Sequence, residues 1–117
     1  MSEADEQAAL IRWAQLYENV YPELALLYHI PNGGWRHKVT AMKLKGQGAK
    51  AGVPDLHLPV ARGGYHGLWI EMKYGRNKLT ESQVWWHVHL RLEGHAIWLC
   101  HSAEEAQNVI LDYLAHD

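Results

Sequence analysis

Apolar positions recur with helical spacing near the start of the chain. Leu10, Trp13, Ala14 and Tyr17 fall at i, i+3, i+4 and i+7, so the pattern predicts a helix over residues 4 to about 17. Extended backwards, the stripe reaches Glu6 and Gln7. After a turn around Tyr21-Pro22, residues 24–30 are apolar and stop at Pro31-Asn32-Gly33-Gly34, a strong breaker. That run predicts a helix end passing into a buried strand. Residues 35–52 are basic, glycine-containing and weakly periodic, and read as a mobile loop with a short helix near 39–44. Loops of this length in compact domains are usually functional or disordered.

Residues 53–60 and 65–74 read as strands joined by a hairpin-type connection at Arg62-Gly63-Gly64. Residues 75–79 form a turn. Thr80-Glu81-Ser82-Gln83 has the capping-box form and opens a helix to about 93, with Val84, Trp85, Val88 and Leu92 along one apolar face and Gly94 closing it. Residues 95–100 read as a further strand. Ser102-Ala103-Glu104-Glu105 is a second capping box, opening a last helix to about 114. The order α, β, β, β, α, β, α predicts an α/β fold, a mixed central sheet flanked by helices, in one domain over residues 1–117 without repeats.

Composition bounds this picture. A chain of 117 residues, 48% of them apolar and six of them Trp, can bury roughly two thirds of its unfolded surface and is not disordered. Cys100 is the one cysteine, so there is no disulfide framework, and it reads as a small buried strand residue. No apolar run approaches the roughly 20 residues that span a bilayer, and the acidic start does not resemble a signal peptide. The expectation is a soluble cytoplasmic protein with no membrane partner and no small-molecule cofactor.

The net charge of −2 conceals a strong segregation. Between Glu23 and Glu81 lie Arg36, Lys38, Lys43, Lys45, Lys50, Arg62, Lys73, Arg76 and Lys78, nine of the eleven Lys and Arg. Asp55 and Glu71 are the only acids in that interval, while both flanks are acidic. A basic centre in an otherwise acidic chain suits a polyanion, nucleic acid above all; a solvated basic face is the plain alternative.

Alternation along the second strand puts Leu68, Ile70 and Met72 on one face and Trp69, Glu71 and Lys73 on the other, half core and half site. Pro54 fixes the backbone before Asp55, which a neighbouring strand can bring beside Glu71. Two carboxylates about 4 Å apart repel by roughly 4 kcal/mol near a protein surface, and a divalent cation removes that penalty. Two acids, the Met72 backbone carbonyl and waters are a donor set for Mg²⁺ or Mn²⁺. Lys73 is then placed to orient or deprotonate a water and to steady charge on a phosphate. By themselves Glu-x-Lys and Pro-Asp also suit a surface ion pair and a turn; the charge map favours the site. Glu6 lies on an apolar stripe and should point inwards, although an acid in a first helical turn is ordinary. Glu3 shares that face.

Taken together and in order, these segments resemble a stand-alone VRR-NUC domain, the virus-type replication-repair nuclease branch of the PD-(D/E)XK superfamily. The resemblance rests on Glu6-Gln7; His29-Ile30-Pro31-Asn32-Gly33-Gly34 followed by Arg36; Gly52-Val53-Pro54-Asp55-Leu56; Gly67-Leu68-Trp69-Ile70-Glu71-Met72-Lys73; Leu79-Thr80-Glu81-Ser82-Gln83; and Gly94 before the last strand. It implies metal-dependent hydrolysis of DNA phosphodiesters by a restriction-endonuclease-like core. Asp55, Glu71 and the Met72 carbonyl would bind Mg²⁺ or Mn²⁺, Lys73 would assist the water, and Glu6 would support the metal. Gln83 matches a motif glutamine near the site, a role compatible with its capping box. Asn32, Arg36, Lys38, Lys43, Lys45, Lys50, Arg76 and Lys78 would meet DNA, their backbone contacts giving affinity with little sequence information. The resemblance also implies a homodimer on branched DNA such as a Holliday junction or flap, within a bacterial or phage-infected cell.

Other readings are weaker. His87 and His89 project about 200° apart on a helix and cannot chelate one ion, and no cysteine cluster supports zinc. Trp35 is placed to stack on bases, while Trp13, Trp85 and Trp98 read as core. A degenerate nuclease fold that binds DNA without cutting accounts for the basic segment but leaves Asp55, Glu71 and Lys73 idle. So does a protein-interaction domain with an acidic partner.

Overall fold

The computed structural model describes residues 2–31 and 38–117. Helix α1 (Glu3–Tyr17) starts where Ser2 accepts a hydrogen bond from the Asp5 backbone N–H, and it buries Leu10 and Ala14, the predicted stripe. A 3₁₀ turn (Pro22–Leu26) leads into β1 (Tyr28–His29). The run over 24–30 therefore departs from the predicted buried strand: β1 has two residues, both exposed, because it lies at the edge of the sheet. Helix α2 (Lys38–Gly46) extends the short helix read from the basic segment.

Strands β2 (Leu56–Leu58), β3 (Leu68–Met72) and β4 (Ala96–Cys100) complete a four-stranded sheet in the order β1-β2-β3-β4. β1 to β3 pair antiparallel, and β3 pairs parallel with β4 after the crossover through α3 (Glu81–Leu92). The mixed sheet is the one the element order predicts. The strands are shorter than predicted. Between β2 and β3, Arg62 and Tyr65 exchange backbone hydrogen bonds across Gly63-Gly64, both at positive φ.

Leu56, Leu58, Leu68, Ile70 and Met72 form the core with Leu10 and Ala14 of α1 and with Ala106, Ile110 and Tyr113 of α4 (Ala103–Leu114). Tyr113 Oη donates to the Val60 carbonyl at 2.6 Å, tying α4 to the end of β2. Cys100 is buried here, and burial pushes its thiol up to about 12, so it behaves as a small apolar residue. No helix among the described residues is long and apolar enough to cross a membrane.

Helix α3 corrects the sequence reading most sharply. Thr80 and Gln83 form the predicted capping box, and Gly94 closes the helix at φ +84°. Yet Val84, Trp85 (53% exposed), Val88 and Leu92 (74%) face outwards, and the buried residues are His87 and Leu90. Trp98, also read as core, is 55% exposed; Trp13 packs against the core as expected. In the second capping box Ser102 caps α4, but Glu105 accepts from His101 N–H rather than from the cap residue itself.

Candidate active site

Three elements fix Asp55. Pro54 before it is fully buried. The Asp55 carbonyl accepts from Ile30 N–H at 2.8 Å, and His29 Nδ1 lies 3.1 Å from the same oxygen and 2.9 Å from Gln7 Nε2 of α1. The side chain is held from the other direction, where Met72 N–H donates to Asp55 Oδ2 at 2.8 Å. The N–H and C=O of one strand residue face the same edge, so the Met72 carbonyl lies on the Asp55 side of β3. Lys73 N–H goes instead to Cys100 on β4.

Glu71 is 1% exposed, more enclosed than a half-open strand face predicts, because His87 of α3 lies over it. Burial pushes its carboxyl up to about 9, helped by a hydrogen bond to Asp55 and by the charges of Asp55 and Glu3, with Lys73 acting the other way. His87 Nε2 is 3.7 Å from Glu71 Oε1. This is not an ion pair near neutral pH, since burial, aided by Arg91, lowers His87 to about 4. Neither atom has a hydrogen-bond partner among the described residues.

Asp55, Glu71 and the Met72 backbone thus come together, with Lys73 near enough for its charge to act on Glu71. Glu6 is directed elsewhere: its Oε1 accepts from Ala103 N–H at 3.4 Å, at the start of α4, while Glu3 is the α1 acid whose charge reaches Glu71. Gln83 Oε1 accepts from Thr80 N–H at 2.9 Å. Lys43 and Lys45 lie exposed in the last turn of α2, and Lys50, Arg76 and Lys78 are exposed in loops. Lys45 and Lys50 line a cleft of about 690 Å³ against Ser82, Trp85 and Trp86. Lys38 opens α2; Asn32, Trp35 and Arg36 lie outside the described residues. Arg62, part of the basic segment, is engaged with Glu23 at 2.8 Å.

The donor set fits a hard divalent cation. Two adjacent carboxyls and a carbonyl offer only oxygen, and a cation between the carboxyls removes the repulsion and burial cost that otherwise keep a proton on Glu71. No group of three or more His, Cys, Asp or Glu side chains placed to hold a metal occurs among the described residues, so this set leaves several positions to water, as Mg²⁺ tolerates. His87 and His89 point to opposite sides, His89 stacking outwards on Trp85 with centroids 4.0 Å apart.

The family model for the VRR-NUC domain matches residues 1–104, most of the chain and every residue of this site. The chain belongs to the VRR-NUC family. A solved structure described as a VRR_NUC domain protein is similar with a TM-score of 0.84 and 29% identity, over 99% of this chain and 90% of that one. No curated protein matches. The VRR-NUC fold is of nuclease type. The sequence reading weighed His87 only as a zinc ligand and missed its place over Glu71, whose signal was its position four residues after Gln83, on the same face of α3.

Proposed function

We propose that this VRR-NUC domain is a Mg²⁺- or Mn²⁺-dependent DNA endonuclease that acts on branched DNA as a homodimer. The observation that carries the reading is the adjacency of Asp55 and Glu71, two carboxyls forced together in a basic segment, one of them fully buried. Asp55, Glu71 and the Met72 carbonyl would hold the cation. When bound, it supplies a Lewis acid that polarises the scissile phosphate and lowers the proton affinity of an attacking water. Lys73 orients that water and steadies the negative charge that grows on the phosphate oxygens. The water oxygen bonds to phosphorus and releases its proton to solvent as the ester P–O bond breaks, and the departing oxygen takes up a proton from solvent.

Lys43, Lys45 and Lys50, with Arg76 and Lys78, would meet phosphates, Lys45 and Lys50 from the wall of the cleft against α3. Such contacts carry no base sequence, which suits a substrate recognised by shape. The outward apolar residues of α3 support pairing of two copies, and a two-fold pair matches paired cuts on a symmetric junction. The test is incubation with linear, flapped and four-way DNAs, with and without Mg²⁺ or Mn²⁺, beside Glu71→Ala. Metal-dependent cleavage of the branched forms, lost in the variant, is expected; cleavage that survives in purified Glu71→Ala sinks the reading.

A further inference from the structure

Helix α3 is built the wrong way round for a helix that only packs. It buries a histidine and leaves Val84, Trp85, Val88 and Leu92 in solvent. Gln83, His87 and Leu90 fall at i, i+4 and i+7, so they form the face turned towards the sheet. At the middle of that face an apolar residue would fill the space without cost. Instead His87 (4% exposed) brings Nε2 to 3.7 Å from Glu71 Oε1, and both atoms are sealed from solvent without a hydrogen-bond partner among the described residues. Leaving a buried donor or acceptor unpaired costs about 1–3 kcal/mol. A position that keeps such a cost has a use in another state of the site.

We propose that His87 is a positioning residue for Glu71, its Nε2–H donating to Oε1 and so fixing the rotation of the carboxylate that faces Asp55. The inference rests on the metal-site reading above. A shift of under about 1 Å turns the 3.7 Å approach into an ordinary N–H···O bond. With Oε1 held by His87, the other oxygen is aimed at the space shared with Asp55 and the Met72 carbonyl. Partners of this kind orient metal-binding carboxylates, and their removal typically lowers metal affinity 10- to 100-fold.

The experiment is Mn²⁺ titration of the whole chain by isothermal calorimetry, with melting followed in EDTA. The variants are Glu71→Gln, His87→Leu, His87→Met and His87→Gln. Expected are loss of Mn²⁺ binding in Glu71→Gln, a 10- to 100-fold weaker Kd in whichever of His87→Leu and His87→Met folds, and recovery towards wild type in His87→Gln, whose amide N–H can still donate. Melting in EDTA should be unchanged or raised in the apolar variants, because one of the two buried unpaired atoms, His87 Nε2, has been removed; a histidine kept only for packing would lower it in all three. An Mn²⁺ Kd within twofold of wild type in the apolar variants, with Glu71→Gln still unable to bind, overturns the role of His87 alone. Unchanged binding in Glu71→Gln as well overturns the metal site with it.

Discussion

Met72 gives its backbone N–H to Oδ2 of Asp55 at 2.8 Å, so the acid that leads into β2 is locked to the strand carrying Glu71. The bond accounts for how two carboxyls stay adjacent despite their repulsion: one is oriented by a backbone donor, the other holds a proton. Asp55→Asn keeps an acceptor for Met72 but loses the charge. It should abolish Mg²⁺-dependent cleavage while lowering stability by no more than about 1 kcal/mol. Cleavage assays and thermal melts on one preparation check both halves.

Metal-free stability should fall with rising pH above neutrality. Glu71 is raised to about 9, so the folded protein keeps a proton there that the unfolded chain, at 4.5, has lost. The stabilisation tied to that proton is complete below 4.5 and is lost as pH climbs through 9. His87 is lowered to about 4 from 6.5 and acts with the opposite sign, but only below 6.5. From pH 6.5 to 8.5 in EDTA the slope is therefore negative, at most about 1.4 kcal/mol per pH unit for one proton. Denaturant midpoints across this range measure it, and Glu71→Gln should flatten the trend.

Phosphate contacts by the end of α2 have a salt signature. Each neutralised phosphate of duplex DNA contributes roughly 0.9 to the slope of log affinity against log salt. Lys43→Glu with Lys45→Glu should flatten that slope by about two in a filter-binding series run in EDTA. An unchanged slope means α2 does not touch the backbone.

Gly52 holds the segment before Asp55 against the start of α3. Its φ is +89°, and a Cβ there would lie 2.5 Å from the Ser82 carbonyl carbon. Backbone on both sides leaves nothing flexible to give way. Gly52→Ala should cost at least roughly 2 kcal/mol in chemical denaturation, with activity falling further as Asp55 and α3 part.

If two copies pair through the outward face of α3, Val88→Glu with Leu92→Glu should yield a monomer in light scattering. Both residues are exposed in the single chain, so its own melting temperature should hardly move.

The clarity of each element in the sequence followed how one-sided its pattern is. β3 reads plainly because Leu68, Ile70 and Met72 alternate with Trp69 and Glu71, and only one side can be core. Asp55, Glu71 and Lys73 were legible for the same reason, aided by the charge map. α3 misleads because its more apolar stripe faces out; packing against Glu71 selects the face bearing Gln83, His87 and Leu90, which hydrophobicity alone ranks second. β1 misleads because residues 24–30 are apolar, whereas an edge position leaves Tyr28 and His29 in solvent. The division of labour between Glu3 and Glu6 depends on where the start of α4 lands, a long-range contact that local spacing does not encode.

The reciprocal bonds at the start of α3 also limit what Gln83 can offer a substrate. Its amide oxygen already accepts from Thr80 N–H, while both N–H donors of the NH₂ end stay available to an anion. A carboxamide is no base near neutral pH, so with its donors turned to a nucleic-acid strand Gln83 is confined to gripping it.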